Sequence, residues 1–346
     1  MKKIKTYIAA LLLCLPAVAG AQEPMKGSLP LFIETGLKNN YDLRIVRNEE
    51  RMADNNANLA NAGYLPTLSA SAGYDGSSMS TDTKSRADGS VTKSRNTFDH
   101  GYSAGINLDW TIFDGFKIQA NYSKLQELRR QGQTRTRLAI EDYVAELTAE
   151  YYNFIQQRIR MRNLNNAVKL SKERLRIVLE RYTIGSASRL DLQQAQVDFN
   201  ADSAQSLKQY ELLATSRIRL YELMAVKDMQ TAISVADSSI NVDDALNFDS
   251  LLNATMRTNA SLLNASQNIR LAELDYKATM SRDFPYLKLN GGYNYSHDNF
   301  GSGANKSRDQ WGATFGVKMG MTLFDGKRSS QRRNARLNIE NADMAR

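Results

Sequence analysis

Side chains able to make and break bonds are few in this sequence, and their spacing suits no reaction. There are two histidines, His100 and His297, and one cysteine, Cys14. No nucleophile–base set, no cluster of metal-ligand types and no glycine-rich phosphate loop is formed around them. A catalytic residue, a metal site and a cofactor site are therefore not expected. The polar residues that are placed with a purpose are those that start and stop backbone elements. Asp114-Gly115 and Asp325-Gly326 each close an alternating stretch and open a helical one. Asp caps the orphan N–H groups of a helix start, and Gly allows a sharp change of direction. A second kind of junction runs from Arg181-Tyr182 through Ile184, Gly185 and Ser188 to Leu190-Asp191. There Gly185 stands where a helix ends in the left-handed conformation. Ser188 can cap the return helix, with Asp191 favouring its first turn. A plain hairpin turn accounts for Gly185 and Ser188. It does not account for the apolar Ile184 or for the arginines Arg181 and Arg189, which point to a docking surface.

The elements that hold these junctions are of two kinds. Strand-like stretches alternate with period two. Tyr102, Ala104, Ile106, Leu108, Trp110 and Ile112 share one face, while Ser103, Gly105, Asn107, Asp109 and Thr111 share the other. Near the C-terminal end, Trp311, Ala313, Phe315, Val317, Met319, Met321 and Leu323 oppose Gly312, Thr314, Gly316, Lys318, Gly320 and Thr322. Weaker versions lie around Leu68–Tyr74 and Leu287–Tyr295. Each is long enough for a tilted strand to cross a bilayer, which takes roughly nine to eleven residues. Aromatics such as Tyr74, Tyr102, Phe113 and Trp311 sit near strand ends, where interfacial girdles lie. The wet faces carry Ser, Thr, Gly and Asn, as a barrel lumen does, with Ser103, Asn107, Asp109 and Lys318 expected to face it. Residues 75–100 and 296–310, which contain both histidines, read as mobile polar loops.

The second kind of element is helical. From Lys117 to about Tyr182 no Pro occurs, which allows roughly 65 residues or about 98 Å of helix. A 4-3 spacing from Ile140 through Val144, Leu147, Tyr151, Phe154, Met161, Val168, Leu175, Leu179 and Tyr182 predicts a coiled-coil seam, broken by Arg158, Asn165 and Lys172. For the return helix, Ser188 to about Ala225, the predicted seam is Leu190, Val197, Ala204, Leu207, Ala214, Ile218, Tyr221 and Ala225.

These elements occur twice. Asn39–Leu43 matches Thr258–Leu262, and the same offset brings Leu65-Pro66 onto Phe284-Pro285 and Tyr74 onto Tyr293. Ile112–Gly115 matches Leu323–Gly326. Internal repetition of this kind sets the organisation: a first repeat over 22–237 and a second over 238–346. The first holds strands at about 65–74 and 101–113 and a helical hairpin at 117–226. The second holds strands at about 286–295 and 311–324 and only the start of its post-strand helix, so the chain reads as a C-terminally shortened version of a fuller duplication. Before the first repeat, Lys2, Lys3 and Lys5, an apolar run from Tyr7 to Leu15 and Ala19-Gly20-Ala21 form a signal peptide over 1–21.

Composition sets the outer limits. The 346 residues are 42% hydrophobic, with 5 Pro, 20 Gly and a net charge of +8. One Cys excludes a disulfide framework. The scattered basic excess gives no reason to propose nucleic acid as a ligand. A mean hydropathy of -0.48 excludes a multi-helix membrane protein but not a transmembrane β-barrel. Four strands are too few to close a barrel, and open edges are not allowed in lipid, so several chains must share one barrel.

The duplicated helix–Pro–strand blocks, the Phe-Asp-Gly turns and the Arg181-Tyr182…Gly185…Ser188…Asp191-Leu192…Ala195 block resemble the TolC-type outer-membrane efflux family. That resemblance covers residues 29–346. It implies an α+β membrane protein in a Gram-negative outer membrane. Four transmembrane β-strands per chain would contribute to a trimeric twelve-stranded barrel, and long coiled-coil helices would form a periplasmic α-barrel. It implies a passive exit duct for small molecules or secreted protein. The partners implied are a periplasmic adaptor docking on Arg181, Tyr182, Gly185, Ser188, Leu190 and Asp191, and an inner-membrane pump. The family's second helical hairpin has no counterpart here. A non-functional fragment and a periplasmic coiled-coil adaptor or scaffold stay open as alternatives.

Overall fold

The computed structural model describes residues 25–226, 233–235, 246–303 and 305–346. The signal peptide reading of 1–21, with Cys14, and the repeat junction at 237–238 lie outside the described residues. The elements run β1 (Met25–Gly27), α1 (Leu29–Asn39), α2 (Tyr41–Asn56), α3 (Leu59–Ala62), β2 (Thr67–Lys84), β3 (Val91–Asp114), α4 (Lys117–Thr183) and α5 (Arg189–Met224). They continue with β4 (Ile233–Val235), α6 (Phe248–Thr258), α7 (Ala260–Met280), a short 3-10 turn (Ser281–Asp283), β5 (Tyr286–Asn299), β6 (Ser307–Gly320) and α8 (Gly326–Met344). Among the described residues no helix is long and apolar enough to cross a membrane. Two compact units form, one from residues up to Ile45 with Ala139–Leu246, the other from Val46–Leu138 with Asn247–Arg346.

The second unit holds a four-stranded antiparallel sheet in the order β2-β3-β5-β6. Its register aligns the two-residue alternation of all four strands. One face carries the rows Ala72–Ala104–Tyr295–Trp311, Ala70–Ile106–Tyr293–Ala313 and Leu68–Leu108–Gly291–Phe315. The other carries Gly73–Ser103–Ser296–Gln310, Ser71–Gly105–Asn294–Gly312 and Ser69–Asn107–Gly292–Thr314. A one-residue slip anywhere would mix the faces. The hairpins are longer than the alternation suggests. Residues read as loops continue as paired strand, up to Lys84 and from Val91 in one hairpin, and up to Asn299 and from Ser307 in the other. Polar strands can do this because the ladder satisfies the backbone whatever the side chains are. Both histidines therefore lie in strands. β6 ends at Gly320 and not near Leu323, because its partner β5 begins at Tyr286, opposite Gly320, and offers nothing beyond. In β3 the register shifts between Thr111 and Phe113, so Ile112 is the extra residue of a bulge and Phe113 takes its place on the apolar face.

The first unit holds α5 and the part of α4 from Ala139 onward, which together form a hairpin. Helix α4 is 67 residues long and α5 is 36. On α4 the inward line is Ile140, Tyr143, Leu147, Glu150, Phe154, Gln157, Met161, Leu164, Val168, Ser171 and Leu175, buried or half-buried throughout. That keeps half of the predicted seam and moves the other half by one residue, which removes Arg158, Asn165 and Lys172 from it. On α5 the difference is larger. Its inward line is Leu192, Ala195, Phe199, Asp202, Ser206, Gln209, Leu213, Ser216, Leu220 and Leu223. The predicted Leu190, Val197, Leu207 and Ile218 lie two positions away, roughly the opposite side of a helix, and are exposed. Polar pairs fix the register: Gln209 Nε2 to Gln157 Oε1 at 2.7 Å, Ser216 Oγ to Glu150 Oε1 at 2.8 Å and Arg219 to Glu146 at 2.5 Å.

The end of α5 is seated in the apolar core of this unit, built on Phe32, Leu147, Tyr151, Ile155, Leu220 and Met224. The Phe32 and Tyr151 rings meet edge to face at 5.3 Å. Helix α5 stops at Ala225, which has a left-handed φ of 51°. The carbonyl of Leu223 in its last turn takes two outside donors, the Tyr143 hydroxyl and the Asn40 side-chain amide, each at 3.0 Å. Burial pushes the Tyr143 hydroxyl up to about 12, with Glu146 adding to the effect. Gly36 leaves the room this needs, since a methyl there would collide with the Tyr143 hydroxyl. Tyr143→Phe removes one of the two donors and should cost about 1 kcal/mol. Denaturant unfolding of the two proteins measures it, and equal midpoints would mean that Asn40 alone satisfies the Leu223 carbonyl.

Candidate functional site: the helical tip and the two faces of the sheet

The tip is built from two interlocked capping motifs. Helix α4 ends in a Schellman motif. The Gly185 amide donates to the Tyr182 carbonyl at 3.0 Å and the Ser186 amide to the Arg181 carbonyl at 2.8 Å. Gly185 has φ +81°, and open space surrounds the place a Cβ would occupy, so backbone conformation alone selects glycine. Helix α5 opens on a capping box. The Asp191 amide donates to Ser188 Oγ at 3.1 Å, and the Ser188 amide to Asp191 Oδ2 at 2.9 Å. The Ser188 hydroxyl also donates to Asp191 Oδ2 at 2.7 Å. These bonds, the Ser188 hydroxyl first, hold the Asp191 carboxyl below its ordinary range, and the Arg181 charge adds to the effect. The side chains of Ser188 and Asp191 are thereby spent on the turn's own shape. What it shows to solvent is Ile184 at 79% exposure, Leu190 at 76%, the Tyr182 ring and the two arginines.

The strand-to-helix turns differ from each other. Asp114 closes β3 and its Oδ1 accepts from the Ile118 amide at 3.0 Å. Gly115 and Phe116 both take positive φ, 70° and 71°. A Cβ on Gly115 would run into the Ser281 carbonyl. Asp325 caps α8, accepting from the Lys327 amide at 3.0 Å, but Gly326 is already helical and its φ is not positive. There the change of direction falls on residues 321–325, outside the sheet, so the expectation that glycine makes both corners is met only at Gly115.

The faces of the sheet put Ser103, Asn107, Asp109 and Lys318 together on the polar side, with Lys288 directly opposite Lys318. That side is kept low. A methyl on Gly105, Gly292 or Gly316 would strike the neighbouring Asn294, Asn107 or Asn290 side chain, so each asparagine lies over a glycine. The apolar side is exposed in one chain, with Phe315 at 94%. Its aromatics form two bands. At the hairpin end Tyr102 stacks on His297 at 4.9 Å and lies 6.1 Å from Tyr295. At the helix end Phe116 meets Phe113 at 5.1 Å and Phe284 at 5.7 Å. From Tyr102 to Phe113 is about 36 Å of strand, or about 28 Å of height at a tilt of ~40°. This matches the apolar band of an outer-membrane barrel, roughly 25 Å.

Two features escaped sequence reasoning. The repeated Asn40 and Asn259 are matched helix caps, their side chains each accepting at 3.0 Å from Leu43 and Leu262. The repeat itself displays this signal, Asn at one position and Leu three later. The second feature is the meeting of the histidines. Asn299 lies 3.1 Å from His297 Nε2 and 3.5 Å from His100 Nε2, and His297 Nδ1 lies 2.7 Å from Asp309. Only strand pairing brings these residues together, and no local spacing announces it.

A sheet with one lipid-type face and one low polar face, carried with a long helical hairpin, defines an outer-membrane channel segment. The chain belongs to the outer membrane efflux protein family, whose model matches residues 32–226. It is an outer-membrane protein with a periplasmic helical extension, and its family is one of channels and not of enzymes. It is 25% identical over 290 residues to the pyoverdine export outer membrane protein OpmQ of Pseudomonas aeruginosa. That match covers 81% of this chain and 57% of OpmQ, so the chain spans less than two thirds of that relative's length. In fold it is similar to the Campylobacter jejuni CmeC outer membrane channel, with a TM-score of 0.71 and 17% identity over 92% of this chain and 66% of CmeC. It is also similar to VceC of Vibrio cholerae, with a TM-score of 0.67 and 17% identity over 91% and 74%.

The two faces predict opposite sensitivities. Phe315→Arg places a charge on the lipid side and should cost roughly 2–4 kcal/mol near the bilayer midplane. Thr314→Arg, the next residue on the polar side, should cost far less. Unfolding from lipid measures both, and equal losses would contradict the assignment of faces.

Proposed function

We propose that three copies of this chain join their four-stranded sheets, edge to edge, into one twelve-stranded barrel that serves as a passive exit duct across the outer membrane. The polar face lines a hydrated lumen, with Ser103, Asn107, Asp109 and Lys318 toward the solute. Solutes pass by diffusion, and an inner-membrane pump supplies the energy. A periplasmic adaptor docks on Arg181, Tyr182, Gly185, Ser188, Leu190 and Asp191. The observation that carries this reading is the sheet itself, which is apolar on one face, polar on the other and, among the described residues, open at the outer edges of β2 and β6. A periplasmic scaffold, by contrast, would leave that apolar face in water. We also read the chain as two copies of one structural repeat, a reading supported by the equivalent caps at Asn40 and Asn259.

Native mass of the protein extracted from outer membranes in mild detergent tests the barrel. Three chains per particle are expected, and a stable monomer in the membrane would overturn the reading. The tip is tested separately. Gly185→Val forces a β-branched residue into the left-handed region at a cost of about 1–3 kcal/mol and breaks the Schellman motif. Site-specific crosslinking from Ile184 to the adaptor should fall sharply while trimer mass is unchanged. Undiminished crosslinking would remove the tip from the docking surface.

A further inference from the structure

We infer that the groove between α4, α7 and α8, at the helix end of the sheet, binds the phosphate headgroup of an anionic phospholipid in the periplasmic leaflet. The inference needs the apolar face to meet lipid and does not need the duct proposed above.

Depth is the starting point. The apolar face ends in the rings of Phe113, Phe116 and Phe284, with Phe116 and Phe284 meeting at 5.7 Å. Phe116 and Phe284 stay about half exposed, at 56% and 48%. Aromatics so placed mark the level at which acyl chains give way to headgroups. Lys117 follows Phe116 directly, and Arg282 stands two residues before Phe284. The two segments touch, since a Cβ on Gly115 would run into the Ser281 carbonyl and the Phe284 side chain. Two cations from separate elements therefore stand just past the aromatic band, where a phosphate would lie.

The groove they share has a volume of about 550 Å³. Lys117 and Asn121 of α4 line it, with Asp275 of α7 and with Asn334 and Asn338 of α8. Arg282 is held in place by Gln331, its Nη1 donating to Oε1 at 2.5 Å. Among the described residues the side chains of Lys117, Asn121, Asn334 and Asn338 make no hydrogen bond or ion pair with the protein. Ammonium, guanidinium and amide N–H groups are all donors to phosphate oxygens.

The charge around the groove is positive with every carboxylate counted. Over residues 114–124, 275–283 and 325–333 the chain carries eight lysines and arginines against four aspartates, Asp114, Asp275, Asp283 and Asp325. The remaining approach to the sheet, residues 58–66, has no charged residue. Asp275, the carboxylate in the groove, pairs with Lys124 at 2.6 Å, and Asp283 is shared by Arg328 and Arg332. Among the described residues Lys117 and Arg282 have no carboxylate partner. Basic pockets at the bilayer surface hold anionic headgroups in this way. A zwitterionic headgroup would bring its own ammonium into the same positive surplus.

The test is native mass spectrometry of the full-length protein in detergent, titrated with phosphatidylglycerol and separately with phosphatidylcholine. Native protein should prefer phosphatidylglycerol roughly tenfold, the effect of about one hydrogen bond to a charged group. Lys117→Gln/Arg282→Gln should abolish that preference. Asn334→Asp, which adds a carboxylate to the groove and leaves both cations in place, should lower it as well. Lys84→Gln/Lys93→Gln, the same loss of charge at the hairpin end, should keep the native preference. Equal affinity of native protein for the two lipids would overturn the inference. So would equal losses in the Lys117/Arg282 and Lys84/Lys93 variants, which would make the preference one of total charge. Displacement of the lipid by free glycerophosphate at equal concentration would make the groove a site for soluble anions and overturn the lipid as its occupant.

Discussion

An open sheet edge in lipid is the constraint on which the rest of this molecule turns. Among the described residues β2 and β6 are each paired on one side only. Within hydrocarbon no water is present to satisfy the N–H and C=O groups of the other side, and each unsatisfied group costs several kcal/mol. The two open edges lie at opposite borders of a sheet too narrow to curl onto itself. No adjustment of side chains removes that cost; only another strand does. On the duct reading proposed above, the sheet is one sector of a closed surface, and the alignment of all its alternations follows. Each row must be apolar toward lipid from β2 to β6, because a sector with a mixed face could not be joined to its copies.

The helical hairpin obeys the same logic in water. An isolated coiled coil buries its large apolar side chains along its seam. The α4–α5 hairpin does so only in part. Its seam is crossed by Gln157 with Gln209, Glu150 with Ser216 and Glu146 with Arg219, while Leu190, Val197, Leu207 and Ile218 face out, Leu207 at 74% exposure. The half-exposed Glu146–Arg219 pair adds little stability, and the use of these polar contacts is to fix register. The apolar side chains left outside have roughly 25 cal/mol per Å² to gain from being covered. A hairpin whose seam admits polar pairs among its apolar residues, and which shows further large apolar residues outward, is built for neighbours, as the sheet edges are.

What could be read from the sequence was whatever depends on near neighbours in the chain. Ser188 with Asp191, Gly185 after a helical run, and the two-residue alternation of Tyr102 to Trp110 are local signals, and the sequence carries them in full. The α5 seam could not be read this way. Leu190, Val197, Leu207 and Ile218 have seam spacing, but spacing reports that a stripe exists and not which partner covers it. Here the nearest partner takes the other stripe. The extension of β2 to Lys84 and of β3 back to Val91 was hidden because those residues are polar on both sides, and polar strands without a buried face have no alternation to display. The meeting of His100 with His297 depends on the β3–β5 pairing, which no short motif encodes.

The repeated blocks separate these two kinds of information within one chain. Asn40 and Asn259 do the same work in the same geometry, each accepting from the amide three residues on, because a cap needs only its own helix. Asp114-Gly115 and Asp325-Gly326 are the same dipeptide with different outcomes. β3 lies between two strands and is held in the ladder up to Asp114, opposite Tyr286, so the chain must turn within two residues and takes two left-handed conformations to do so. β6 has a neighbour on one side only and leaves the ladder at Gly320. The chain then has residues 321–325 in which to turn, and Gly326 is free to be helical. A repeat thus preserves what is determined locally and lets go of what its surroundings determine. The corner at Gly326 would sharpen toward that at Gly115 only if another strand held β6 on its open side.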